Sequence, residues 1–253
     1  MTGLLFLRNI MNLYLKSTAN LGDFLNAMPV LAGLSTAYGD VSLIIRSEMR
    51  KFRGMKEFLS YQGIFKDVNF DDEVFFSGVT EISSWTREDQ NDPNRPIETC
   101  RYENWMKDRG FNFEVQDDFK IRYPDLNKIV DQNKYYVGDR WDVGNIDTRR
   151  ATKVLSHMND CIFIDYSRDL LENCYFIAES PKPFITNLTG ISVLGDLLNK
   201  EQWIVWKSED WNPEFRNGKD INWDNGKNID SVFKKHFYGN RKSKLVHSDD
   251  LRL

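Results

Sequence analysis

The 253-residue chain is 41% apolar, 28% charged and 13% aromatic, a balance that excludes an intrinsically disordered chain and supplies the bulky side chains of a buried core. That length suits one large domain or two small ones. A formal net charge of −4 excludes the broad basic field of a non-specific nucleic-acid binder and leaves room only for a local basic groove.

Short apolar β-type runs alternate with helical patterns along the chain, the signature of βαβ units and a parallel sheet. Residues 1–10 are expected to be an extension that adds nothing to the fold, and the pattern opens with a strand at Leu13-Tyr14-Leu15. A polar loop, residues 16–21, leads to Gly22-Asp23 and a helix whose apolar residues recur at i, i+4 and i+7. Pro29 falls inside that helix and predicts a kink or a short first segment; Gly39 ends it. The near-continuous apolar run 41–45 reads as a strand covered on both faces. A helix at 53–62, strands at 68–70 and 79–82, an exposed loop at 86–96 and a helix at 98–109 follow. Residues 124–133 read as a linker or a linking helix. A second series then repeats the plan. Strands are expected at 135–137, 161–164, 184–186, 203–206 and 244–247, and helices at 147–158, 170–179, 191–199 and 232–238. The reading is thus two successive α/β halves, 1–124 and 125–253. Ligands of such open sheets sit beyond the carboxyl ends of the strands, which singles out the junctions 16–23, 138–150 and 186–191.

The run Lys16-Ser17-Thr18-Ala19-Asn20-Leu21-Gly22-Asp23 through Pro29 resembles the amino-terminal signature of the ADP-heptose:lipopolysaccharide heptosyltransferase family: a strand, a polar loop, Gly-Asp, and a helix with Pro six residues after the Asp. Gly138-Asp139-Arg140-Trp141 is similar to the family's glycine, basic residue and Trp, and Asn187-Leu188-Thr189-Gly190-Ile191 to its Asp-Ser/Thr-Gly. The resemblance implies an α/β, GT-B-like fold with two Rossmann-like halves facing across a cleft. It also implies a metal-independent, inverting glycosyltransferase. The first half would take the acceptor and the second the nucleotide-sugar, which is the donor substrate, with no cofactor. At 253 residues the chain is short for the family, so trimmed loops or peripheral elements are expected.

Glycosyl transfer needs a base for the acceptor hydroxyl and stabilisation of the departing diphosphate. Asp23, which matches the family's catalytic aspartate, is the candidate base; a plain helix cap is the competing reading. Without a metal, the diphosphate needs backbone N–H groups at a helix start and nearby cations. Thr189, Gly190 and Ile191 supply such a start, and Lys16, Gly22, Gly138, Arg140 and Asn187 complete the expected nucleotide-sugar site. Arg149 and Arg150 are further cations or plain surface charges. Leu188 stands where the family has Asp, and no His follows the motif, so the identity of the donor is open and a non-catalytic binding protein on the same scaffold is the alternative. The acceptor is a glycan or a hydroxylated DNA base, the latter suggested only by the basic run Lys234, Lys235, Arg241, Lys242 and Lys244.

Other signals are structural in this reading. His157, His236 and His247 lack ligand spacing and read as surface or cap residues; Asp71-Asp72-Glu73 and Asp117-Asp118 read as solvated turns, and Trp203, Trp206, Trp211 and Trp223 as packing. No D-x-D, P-loop or G-x-G-x-x-G occurs. Three scattered cysteines (Cys100, Cys161, Cys174) without a C-x-x-C pair fit a reducing, cytoplasmic setting. The early apolar run 4–7 is too short to cross a membrane.

Overall fold

The computed structural model describes residues 11–16, 20–75, 78–84, 92, 94–138, 161–164, 167–186, 189–206, 233–234, 236–239 and 241–247. They form two parallel sheets flanked by helices. In the first, β1 (Met11–Leu15), β2 (Val41–Ile45), β3 (Asp67–Phe70) and β4 (Thr80–Ile82) take the order β3-β2-β1-β4. In the second, β5 (Tyr135–Gly138), β6 (Cys161–Ile164), β7 (Phe184–Thr186), β8 (Gln202–Trp206) and β9 (Ser243–His247) take the order β6-β5-β7-β8-β9. Every strand pair is parallel. Both orders reverse once, between β1 and β4 and between β5 and β7, and such reversals open a crevice beyond the strand ends.

All five residues of β2 are buried, as expected for a strand covered on both faces. In the second sheet both faces are also covered, and alternate residues join different clusters. Tyr136, Phe184 and Ile204 face the main core, whereas Val137, Ile185 and Val205 form a smaller cluster on the opposite face. The main core runs without a break from the first sheet into the second, through Leu13, Phe24, Leu31, Tyr102, Ile191, Leu194 and Phe237.

The helices are α1 (Leu21–Leu25), α2 (Met28–Tyr38), α3 (Met55–Tyr61), α4 (Ile97–Lys107), α5 (Leu170–Glu179) and α6 (Gly190–Leu197). The short first segment foreseen at Pro29 is present: the ring cannot donate to Leu25 O, so α1 closes at Asn26–Ala27 and α2 restarts with Pro29 in its first turn. Gly39, at φ +83°, ends α2.

Residues 124–133 form no helix. Asn127 N–H and Asn133 N–H bond to the side chains of Asp125 and Asp131, local turns that compete with helical bonding. Just before, the chain is stitched to both halves: Ile121 N–H donates to Leu197 O at 3.1 Å, and Gln62 bonds both the N–H and the C=O of Arg122. The chain also returns. After a helical turn in which Phe233 and Phe237 stack at 4.8 Å, Phe237 and Tyr238 are buried, Gly239 N–H reaches Asn94 O, and β9 then joins the second sheet. The predicted helix 147–158, the Trp-containing stretch 208–230 and residues 1–10 lie outside the described residues.

Candidate active site

The reversal point of the first sheet is the mouth between β1 and β4. Lys16 follows β1, and its N–H donates to Ile82 O at 2.9 Å, holding the two strand ends together. Its ammonium faces Glu81 at 3.5 Å; both are well exposed, so the pair is weak. Beyond the mouth lies α1, with Asp23 in its first turn.

Asp23 is mostly shielded, its side chain 17% exposed, and it meets groups that sequence reasoning did not assign to it. His236, on the returning segment, brings Nδ1 to 3.8 Å from Asp23 Oδ1. Asn26 Nδ2 lies 3.3 Å from the same Nδ1 and also donates to Gly22 O at 3.1 Å. Behind them, α4 packs Thr99, whose hydroxyl donates to Asn26 O, and the buried Tyr102. Burial, followed by the negative charges of Asp23 and Glu98, pushes the Tyr102 phenol far up, so it stays neutral. Glu98 is itself buried and pairs with Arg101 at 3.0 Å. The reading of His236 as a surface or cap residue is therefore corrected: it is a half-buried neighbour of the candidate base. Nothing local in the sequence marks it, because its partner Asn26 lies 210 residues away.

The reversal point of the second sheet is the mouth between β5 and β7. β5 ends at Gly138, where an added Cβ would lie 2.7 Å from Phe184 Cζ, 2.9 Å from Ile191 Cγ2 and 3.0 Å from Thr186 Oγ1. The glycine lets the start of α6 settle onto the strand ends. At that start the Thr189 N–H donates to Ser192 Oγ, and the Ser192 hydroxyl donates back to Thr189 O at 2.6 Å. This ties down the N-cap, while the first-turn N–H groups of any α-helix lack intrahelical partners. The two mouths meet here: a Cβ on Gly22 would lie 3.4 Å from Val193 Cγ2 and 3.6 Å from Gly190 Cα. The structure therefore brings Gly22 against Gly190 and Val193 at the start of α6, with Asp23 next to Gly22 in the first turn of α1, Gly138 against Ile191 and Lys16 at the neighbouring strand mouth. Arg140, Asn187, Leu188, Arg149 and Arg150 lie outside the described residues.

No family model and no curated protein matches this chain. Solved structures do. Over 94% of this chain and 93% of the other, the structure is similar to the E. coli heptosyltransferase WaaC with ADP, with a TM-score of 0.53 and 11% identity. It is similar to a glycosyl transferase of family 9 from Veillonella parvula over 96% and 87%, with a TM-score of 0.59 and 11% identity. It is also similar to the E. coli ADP-heptose lps heptosyltransferase II over 94% and 90%, with a TM-score of 0.56 and 8% identity. The chain has the GT-B-like fold of the heptosyltransferases. In a GT-B-like fold two Rossmann-like halves face one another, and the abutting starts of α1 and α6 are where they do so here. Among the described residues no group of three or more His, Cys, Asp or Glu could hold a metal ion, and no helix is long and apolar enough to cross a membrane.

The acidic turns need partial correction. Asp72 and Glu73 pair with Arg50, and Glu73 also with Lys56, while Asp71 accepts from Ser47 N–H and Tyr14. Asp117 takes a two-pronged contact from Arg95, which also binds Glu103. The basic run is not a uniform solvated face either. Arg241 is buried and spends its guanidinium on the carbonyls of Asp196, Asp117 and Phe119.

Proposed function

We propose that this protein is a glycosyltransferase that moves a sugar from a nucleotide-activated donor to an acceptor hydroxyl without a metal ion. The observation that carries the proposal is the meeting of Gly22-Asp23 with Thr189-Gly190 at the reversal points of two parallel sheets in a heptosyltransferase-like fold. Asp23 takes the acceptor proton. The first-turn N–H groups of α6, with Thr189, Gly190 and Ile191, receive the diphosphate, and the approach of backbone to phosphate is helped by the glycine. Lys16, Arg140 and Asn187 complete the donor site, and Gly22 and Gly138 give it room. Residues 1–124 serve the acceptor and 125–253 the donor. A glycan hydroxyl is the favoured acceptor, because Arg241 is withdrawn from the basic run that a DNA backbone would need. A reducing, cytoplasmic setting accords with the free cysteines Cys100, Cys161 and Cys174.

The test is a thermal-shift screen with nucleoside diphosphates and nucleotide-sugars. A ligand present at about 100 times its Kd stabilises the native state by about 2.7 kcal/mol, a clear rise in Tm. With the donor found, Asp23→Ala should keep that shift and lose about 10²-fold or more in turnover. A screen in which no nucleotide moves the Tm would overturn the transferase reading in favour of a non-catalytic binding protein on the same scaffold.

A further inference from the structure

The carboxylate of Asp23 does not stand alone: the ring of His236 lies beside it. The Asn26 amide nitrogen can only donate, and it already donates to Gly22 O at 3.1 Å. Lying 3.3 Å from His236 Nδ1, it can donate to a lone pair there, an arrangement that suits a neutral ring with its proton on Nε2. The basic nitrogen of His236 is thus the one turned toward Asp23 Oδ1, 3.8 Å away. The site can also accept the protonated ring. Asn26 Oδ1 is buried without a hydrogen-bond partner, and Gly22 O also accepts from the Asn26 backbone N–H, so turning the amide over offers Nδ1–H an acceptor while Gly22 keeps a donor.

We propose that His236 acts through Asp23 as its proton-accepting partner, so that the carboxylate of the first half and the imidazole of the returning segment work as a coupled pair. The role in turnover rests on the transferase reading above; the coupling does not. In the step, the acceptor hydroxyl gives its proton to Asp23 as its oxygen bonds to the anomeric carbon of the donor. The bond from that carbon to the diphosphate oxygen breaks, and the nucleoside diphosphate leaves with the electron pair. The proton passes from Asp23 to His236 Nδ1 and reaches solvent after product release. An imidazole is by its chemistry a stronger base than a carboxylate, so the transfer restores the carboxylate for the next cycle. Among the described residues, Glu98, Arg101 and Tyr102 of α4 are charged or titratable groups close to the pair. Glu98 pairs with Arg101, Tyr102 stays neutral, and the Asp23 carboxylate lies 3.8 Å from the ring nitrogen.

The experiment is a nitrogen-detected NMR titration of the full chain, which has only three histidines to assign. The His236 signal should report a neutral ring protonated on Nε2, and Asp23→Asn should move its titration midpoint to lower pH, because the charge that favours imidazolium is gone. A midpoint that ignores Asp23→Asn, or a neutral ring protonated on Nδ1, overturns the proposal. With a donor in hand, His236→Gln should lower kcat about tenfold or more, leave the donor KM in place and remove the imidazole limb of the kcat–pH profile. A loss of equal size at every pH marks a packing role and also overturns it. If the midpoint moves while no nucleotide binds, the pair stands and the transferase reading falls.

Discussion

At Gly138 a single missing carbon decides whether two elements can touch. Its neighbours Phe184, Ile191 and Thr186 are all within 3.0 Å of where a Cβ would sit, and each is fully or almost fully buried, so none can swing into solvent. Gly138→Ala should cost about 1–3 kcal/mol, seen as a lower urea midpoint at unchanged slope, and should weaken any nucleotide stabilisation by displacing the start of α6. Asp196 makes a second single-residue prediction. Burial raises its carboxyl to about 6, against the pull of the Ser243 hydroxyl, Arg241 and the Tyr238 N–H. Between about pH 6 and pH 4 the native state therefore binds a proton that the unfolded chain does not, and this group's contribution to stability grows as pH falls, by up to about 1.4 kcal/mol for each pH unit. As pH falls across that window, denaturation midpoints should lose more, or gain less, in Asp196→Asn than in the wild type. What the sequence disclosed at this scale is what lies close along the chain. Gly22-Asp23 and Thr189-Gly190 each sit in a short run with a readable junction. His236, Asn26 and Tyr102 were unreadable because their association with Asp23 is made by tertiary packing, which no local spacing encodes.

Helices and strands were easier to read than their company. The unbroken burial of β2 follows from its near-continuous apolar run, and the break between α1 and α2 from Pro29. The irregular path between the halves was not legible as such, because its backbone groups are satisfied by Gln62, Leu197 and local Asx turns rather than by a periodic ladder. That path also explains Gly33, inside α2, where an Ala would ordinarily gain about 1 kcal/mol in helix propensity. Here a Cβ would overlap the carbonyl of Glu114 and press on Phe113, so the crossing segment would have to lift from the helix. Gly33→Ala should lower Tm, and hydrogen exchange of Gln116 N–H, which is bonded to Pro29 O at 3.1 Å, should accelerate.

Among the described residues, the halves are tied by the chain crossing around Ile121 and Arg122 and by the crossing of the returning segment at residues 236–239 and 241. Arg241 is the pin of the second crossing: it bonds the carbonyls of Asp196 at 2.7 Å, Phe119 at 2.9 Å and Asp117 at 3.1 Å, and lies 3.9 Å from the Asp196 carboxylate. Arg241→Met should cost about 3–5 kcal/mol, because it strands a buried carboxylate as well as three acceptors. That corresponds to a drop of roughly 10 °C in Tm for a chain of this size. Arg241→Lys should recover little of it, since an ammonium cannot reach three carbonyls spread over a planar fork.

The returning segment also sets a timetable. A ribosome that has just made Asn26 must add 210 residues before His236 exists, which at about 5–20 residues per second takes tens of seconds. From the emergence of β4 onward, all four strands of the first sheet can be in place while Asp23 still lacks its imidazole. With His236 serving Asp23 as proposed, such a nascent chain is a folded first sheet with an unfinished site.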